Sequence, residues 1–149
     1  MSGHSKWSQI KHQKGVADVK KGQIFSKLGK LISIAAKKGA DPGANAALAG
    51  MIERARAANM PKENIERAIK RASTKGEELF EITVKALTKS GIGMTIDGIT
   101  DNKNRAIGEI KNILAEHNAK MVEWIPDYPM DLDEATKLLI QALEENDDV

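Results

Sequence analysis

The hydrophobic pattern of this 149-residue chain changes its period near position 76, and that change limits the folds the chain can adopt. Upstream, apolar residues recur at intervals of three and four, as in Ile24, Leu28 and Leu31, which predicts helices. Downstream, apolar and polar residues alternate, as around Ile82 and Val84, which predicts half-buried strands. The fold class is therefore predicted to be α+β, with a helical part followed by a part that contains a sheet.

The upstream part is predicted to form three helices, over residues 16–38, 45–58 and 61–72. Pro42 and Gly43 are turn residues that end the first helix. Pro61 suits the first position of the third helix, where its missing N–H costs nothing. We expect a small three-helix bundle, joined to the rest of the chain by a linker over residues 73–76.

The downstream part is predicted to form an α+β sandwich, with helices covering one face of an antiparallel sheet. Its predicted elements are a hairpin of strands 79–88 and 94–100, a helix ending near His117, a third strand within 120–125, and a last helix capped by Asp131 or Asp133. Asp101 and Asn102 are residues that cap the start of the first of these helices.

Charge divides the chain at almost the same place as the hydrophobic period. Residues 1–75 hold 16 Lys and Arg against 5 Asp and Glu, a balance of +11, whereas residues 76–149 hold 7 against 16, a balance of −9. An asymmetry of this size indicates two modules with different roles. We therefore predict a basic helical domain over 1–75 and an acidic α+β domain over 76–149.

Lysine dominates the first 38 residues, which hold nine lysines and one acidic residue, Asp18. Ammonium groups on one surface neutralise phosphates and release condensed counterions, which favours nucleic-acid binding independent of sequence. For any single lysine the alternative interpretation is a solvated helix face. The candidate contacts are Lys6, Trp7, Lys11, His12, Lys14, Lys20, Lys21, Lys27 and Lys30.

Residues 1–15 show no sustained helical period and are predicted to form a basic arm. In this polar arm, Trp7 either stacks on an unpaired base or sugar or anchors the arm on the helices. His4 and His12 are candidate phosphate contacts.

A second candidate anion site follows the predicted hairpin, in Thr-Asp-Asn-Lys-Asn-Arg at positions 100–105. Backbone N–H groups at a helix start, with Asn102, Lys103 and Arg105, would suit an anionic oxygen or a nucleic-acid backbone. The same residues also form an ordinary helix cap with a polar first turn, and the sequence favours that interpretation.

The sequence lacks the motifs of most enzyme classes. It has no P-loop, dinucleotide-binding, nucleophile-elbow or zinc-protease motif. The absence of cysteine excludes disulfides and thiolate metal sites, and three scattered histidines make a poor metal site. No apolar run is long enough to span a membrane, and the N-terminus lacks a secretory signal. We expect a non-enzymatic cytoplasmic protein without metal, cofactor, membrane or small-molecule substrate.

Several stretches together resemble the YebC/PmpR family. They are Gly-His-Ser-Lys-Trp at 3–7, Gly-Gln-Ile-Phe-Ser-Lys-Leu at 22–28, the segment 57–71, and Thr-Asp-Asn-Lys-Asn-Arg at 100–105. The resemblance implies an N-terminal helical domain followed by two α+β domains related to the ferredoxin-like fold. Members are commonly described as DNA-binding transcriptional regulators of the bacterial cytoplasm. Mitochondrial relatives are translational activators of cytochrome c oxidase, and bacterial members are also linked to ribosomes at proline-rich sequences.

The chain departs from the family pattern in three places. An internal segment that includes most of one α+β domain is expected to be missing between 120–123 and 124–126. A glycine-proline-glycine-glycine turn is replaced by Lys89-Ser-Gly-Ile-Gly93, and the chain stops at Val149, short of the usual final strand. We therefore expect a short member that lacks one domain, with a ferredoxin-like sandwich as its second half.

The leading hypothesis is a monomeric nucleic-acid-binding regulator of transcription or translation. A DNA operator requires side chains that contact base edges, and the lysine face carries few Asn or Gln. Ribosomal RNA requires mainly phosphate contacts and stacking, so RNA on the ribosome is an equally serious target. The alternative is a protein-interaction adaptor, in which the acidic segment 127–148 docks a basic partner.

Overall fold

The structure, a computed structural model, describes residues 20–127 and 131–149. The chain divides into two compact units, with the boundary between Lys70 and Arg71. Five helices and three strands form within the described residues, which confirms the predicted α+β class. The residues of the arm, 1–15, lie outside the described part of the chain.

The helices of the first unit are α1 (residues 20–36), α2 (Ala46–Ala57) and α3 (Lys62–Arg71), the last of which ends at the unit boundary. The buried face of α1 is formed by part of the apolar stripe expected in the sequence. Leu28, Ile32 and Ala36 are buried, whereas Ile24 is 51% exposed. The hydroxyl of buried Ser33 donates to the carbonyl of Ala68 in α3 at 2.7 Å, so this side of α1 contacts α3.

The Asn45 side chain joins the end of α1 to the start of α2. Its Nδ2 donates to the carbonyls of Ala35, at 2.8 Å, and Gly39, at 2.9 Å. Its Oδ1 accepts the Leu48 N–H at 3.1 Å and so caps α2. Both amide hydrogens and the amide oxygen are therefore used, and carbonyls at the end of one helix and a free N–H of the next are satisfied together.

The chain reverses after α2 through Asn59, which has a φ of 62°. The Met60 N–H donates to the Ala55 carbonyl and the Asn59 N–H to the Arg56 carbonyl, both at 2.9 Å. This is the hydrogen-bond pattern of a Schellman motif, with Asn in the left-handed position that glycine more often occupies. The motif brings Met60 into the core, where it is 7% exposed, and Pro61 then prevents continuation of α2.

The second unit contains a three-stranded antiparallel sheet with the order β2-β1-β3. Its elements are β1 (Phe80–Thr88), β2 (Gly93–Thr100), α4 (Lys103–Glu116), β3 (Ala119–Val122) and α5 (Glu134–Glu144). The β1–β2 loop closes through the Gly91 N–H donating to the Thr88 carbonyl, with Gly91 at a φ of 87°. The finer ferredoxin-like arrangement stays a prediction.

Both helices of the second unit pack on the same face of the sheet. The core joins Ile82, Val84, Ala86 and Ile96 of the strands to one apolar stripe on each helix, formed by Ala106, Ile110 and Leu114 of α4 and Leu139 and Leu143 of α5. Leu138, on α5, is 59% exposed. The opposite face of the sheet is polar, and there Thr83 donates to Asp97 at 2.9 Å.

The last residues of the chain pack beside β2. The Ile99 N–H donates to the Asp148 carbonyl at 2.8 Å, and Val149 packs against the core of the unit. A Cβ at position 98 would lie 2.5 Å from that Asp148 carbonyl, so glycine is required there for the close approach.

Replacement of Asn45 tests how the first unit is held together. We expect Asn45→Ala to lower the free energy of unfolding by about 2 kcal/mol, because a cap and two hydrogen bonds are lost. Asn45→Asp keeps the cap but loses both amide donors, so it should recover only about half of this loss. Urea unfolding followed by circular dichroism measures both changes. Asn64→Ala, in the first turn of α3, is the control, and full recovery in Asn45→Asp would contradict a role for the carbonyl contacts.

Candidate nucleic-acid interface

Three of the four lysines of α1 project from the face of the helix away from buried Ile32. At 100° per residue, Lys20, Lys27 and Lys30 lie at roughly 120°, 140° and 160° from the direction of Ile32. Lys20 is exposed, whereas Lys27 and Lys30 are half-buried and also interact within the chain. Lys20 is therefore the most accessible of the three.

Lys21 lies apart from this face and contacts an aromatic ring. Its Nζ is 5.6 Å from the centroid of Phe25, one helical turn along α1. A cation–π contact of this kind at an exposed site contributes about 0.5–1 kcal/mol. The contact holds the Lys21 ammonium group near the Phe25 ring.

The remaining predicted contacts of the first unit belong to the arm. Lys6, Trp7, Lys11, His12 and Lys14 lie outside the described residues, and their part in binding stays a prediction.

Cations on α2 and α3 extend the basic surface beyond the residues that the sequence singled out. Arg54, Arg56, Lys62, Arg67 and Lys70 are all exposed. Residues 20–70 carry 11 Lys and Arg against 4 Asp and Glu, a balance of +7. The signal for these positions was present in the sequence as charges between apolar helix residues, but only the fold shows that they belong to the same unit as the lysines of α1.

Residues 100–105 form a helix cap, as the sequence favoured. Oδ1 of Asn102 accepts the Arg105 N–H at 3.1 Å, and the buried Thr100 hydroxyl accepts the Asn102 N–H at 3.0 Å. Lys103 lies with its Nζ 5.4 Å from the ring centroid of Phe80, which is 38% exposed. These side chains therefore already have structural partners at the start of α4.

Arg105 lies among three carboxylates. Its Nη2 is 2.8 Å from Asp101 and 2.9 Å from Asp148, and its Nε is 3.7 Å from Glu109. Hydrogen bonds to Asp148 and then to Asp101 raise the pKa of Arg105 above its usual value, so the guanidinium stays charged. Because Asp148 is only 7% exposed, the pair fixes the end of the chain beside β2. This structural role was not predicted, and a contact between Arg105 and nucleic acid stays a prediction.

Residues 20–127 and 131–149 hold no group of three or more His, Cys, Asp or Glu placed to bind a metal ion. In the same residues, no helix has both the length and the apolar composition needed to cross a bilayer.

Comparison with known proteins supplies a family match. The family model described as the TACO1/YebC protein N-terminal domain matches residues 5–75. A "probable transcriptional regulatory protein" of Dictyoglomus turgidum is 48% identical over 133 residues, which cover 84% of this chain and 53% of that protein. A protein of the same name from Desulfosudis oleivorans is 47% identical, over a match that covers 83% of this chain and 51% of that protein. The chain thus spans about half the length of these curated relatives.

A solved structure is similar in fold as well as in sequence. The crystal structure of a conserved hypothetical protein from Aquifex aeolicus matches with a TM-score of 0.65 and 36% sequence identity. The match covers 68% of this chain and 43% of the other.

Replacement of Arg105 separates its two possible roles. We expect Arg105→Ala to lower the Tm by several degrees, because the Asp148 carboxylate loses its cation while it stays buried. Arg105→Lys keeps the charge but not the forked geometry, so its Tm should be intermediate. Affinity for nucleic acid, measured by fluorescence anisotropy, should change less than about twofold, since the guanidinium is occupied by carboxylates. A tenfold loss of affinity at unchanged Tm would instead show a direct contact.

Proposed function

The chain belongs to the TACO1/YebC family, and we propose that it is a non-enzymatic regulator of gene expression that acts by binding nucleic acid. The printed name of its relatives supports regulation. The family model matches residues 5–75, which are the basic part of the chain. The relatives extend to about twice the matched length, so the proposal concerns the part of their function that this chain carries.

The observation that carries the proposal is the excess of cations at the surface of the first unit. Lys20, Lys21, Arg56 and Lys62 are exposed side chains in a unit whose described residues have a balance of +7. Binding of a polyanion to such a surface is favourable, because each phosphate contact releases condensed counterions. The acidic second unit offers no comparable excess of positive charge.

Two targets are compatible with this surface, and both are proposals. Transcriptional regulation would require duplex DNA, and the names of the relatives favour it. Translational activation, such as relief of ribosome stalling, would require ribosomal RNA. An RNA target requires mainly phosphate contacts and stacking, whereas a DNA operator requires side chains that contact base edges. Such side chains are scarce on α1, where Gln23 is the only Asn or Gln and is half-buried, so the surface favours RNA. Crosslinking followed by sequencing of the bound nucleic acid distinguishes the two.

We also infer a cytoplasmic monomer with a helical domain over 1–75 and a ferredoxin-like domain over 76–149. The ribosome is the larger partner that an RNA target would imply.

The competing function is a protein-interaction adaptor. It is favoured by the −9 balance of residues 76–149, which would attract a basic partner. In that case the lysines of the first unit would serve only to keep the protein soluble.

Charge reversal distinguishes the regulator from the adaptor. We expect replacement of Lys6, Lys11, Lys14 and Lys27 by Glu to weaken nucleic-acid binding at least about tenfold, because phosphate contacts become repulsive. In the unchanged protein, affinity should fall steeply between 50 and 200 mM salt, by roughly a thousandfold for six contacts. Fluorescence anisotropy with RNA and with duplex DNA measures both effects.

The matched control makes the same charge change in the second unit, at exposed Lys85, Lys89, Lys111 and Lys120. Its affinity should stay close to that of the unchanged protein. Equal losses in both variants, or affinity that does not depend on salt, would contradict phosphate binding by the first unit. Retention of a protein partner by the first variant, with no nucleic-acid binding by any form, would favour the adaptor.

A further inference from the structure

A cleft of about 260 Å³ opens in the first unit between α2 and α3. Its floor is apolar and is formed by Ile52, Met60 and Ile65, each of which is less than a tenth exposed. Pro42 and Ile69 form its sides. These side chains leave only a small apolar area in contact with solvent at the bottom of the cleft, which an apolar ligand surface would cover.

The turn between α2 and α3 determines which charges surround this floor. Because the Schellman motif at Asn59 reverses the chain, the last turn of α2 and the first turn of α3 lie on the same side of the cleft. Arg56 lies in the last turn of α2, and Lys62 lies in the first turn of α3. The two cations therefore belong to the rim of the cleft, together with Glu66.

The rim cations are available to an anionic ligand. Lys62 pairs only loosely with Glu66, at 3.8 Å, and their side chains are 87% and 63% exposed. Exposed pairs of this kind contribute little to stability and are easily exchanged. Arg56 is exposed, and within residues 20–127 and 131–149 no carboxylate is in ion-pair contact with it.

We propose that this cleft receives one unpaired nucleobase of a single strand, while Arg56 and Lys62 contact the flanking phosphates. The inference rests on the proposed function and narrows it from nucleic acid in general to strands with accessible bases. The flat faces of a base match an apolar floor, and the phosphates match the two cations. Glu66 can accept a hydrogen bond from an exocyclic amine once Lys62 turns to a phosphate.

Duplex DNA does not fit this arrangement, because both faces of each base are stacked inside the helix and reach a cleft only after unpairing. The cleft therefore favours loops, bulges and single strands, which expose their bases. RNA and single-stranded DNA supply the same chemistry, and the experiment must compare them directly.

The test measures binding of the full chain to four probes of equal length by fluorescence anisotropy. The probes are a single-stranded RNA, a DNA strand of the same sequence, the DNA duplex, and an abasic DNA strand that keeps the phosphates. We expect both single strands with bases to bind at least about fivefold more tightly than the abasic strand, because one stacked base is lost from the latter. A 2-aminopurine in the RNA should change its fluorescence on binding.

Arg56→Ala should weaken binding of the single strands about threefold to tenfold and reduce the slope of log affinity against log salt by about 0.7. Arg54→Ala is the matched control, because Arg54 is exposed on the same helix but contacts Met51 at 3.9 Å and does not line the cleft. Its effect should stay below about twofold. Circular dichroism verifies that both variants fold. Folding is expected because alanine has a high helix propensity at exposed positions.

Three outcomes bear on the inference. Tighter binding of strands with bases than of the abasic strand, together with a larger loss of affinity in Arg56→Ala than in Arg54→Ala, supports it. Whichever of the RNA and DNA strands then binds more tightly identifies the source of the base. Equal binding of the abasic strand, or equal losses in the two arginine variants, overturns it and leaves salt-dependent phosphate binding intact. Absence of binding to every probe at low salt contradicts the proposed function as well.

Discussion

The hydrogen bonds of Asn45 are the interaction on which the arrangement of the first unit depends. One side chain satisfies carbonyls at the end of α1 and caps the start of α2. The Ser33 hydroxyl then joins α1 to α3 through the Ala68 carbonyl. With the apolar faces packed inward, most lysines and arginines of the unit lie at its surface. The hydrogen bonds of a few internal polar groups therefore determine which side chains form the charged surface of the first unit.

Individual basic residues of the two units differ in their contacts. In the second unit, Arg105 is surrounded by carboxylates and holds the buried Asp148 beside β2, and Lys103 covers Phe80. In the first unit, Arg56 has no carboxylate in ion-pair contact within the described residues, and Lys62 has only a loose one. A charge that is matched inside the protein stabilises the fold, whereas one left at the surface of a unit with a balance of +7 is available to phosphate. Net charge alone would not distinguish these roles.

The sequence predicted the elements better than it predicted the contacts between them. Local signals such as Asn102 as a cap and Pro61 at the start of the third helix predicted helix limits close to those observed, and period-two alternation predicted the hairpin. The exposure of Ile24 on α1 was not predicted, because burial depends on tertiary contacts such as that of Ser33 with Ala68, 35 residues later. In the same way, Arg105 donates a hydrogen bond to Asp148, which lies 43 residues later in the chain, and no local pattern predicts this pair. The cleft between α2 and α3 required the fold, although its rim charges are visible in the sequence.

We propose that the first unit, and not the second, carries the nucleic-acid surface. The sharpest test is a nuclear magnetic resonance titration of the ¹⁵N-labelled full chain with a short single-stranded RNA at low salt. The amide shifts that change are expected to belong to residues of the first unit, with the end of α2 and the start of α3 among them, while the α4 cap at Asn102 is unaffected. Shift changes confined to residues 71–149 would show that the second unit binds instead.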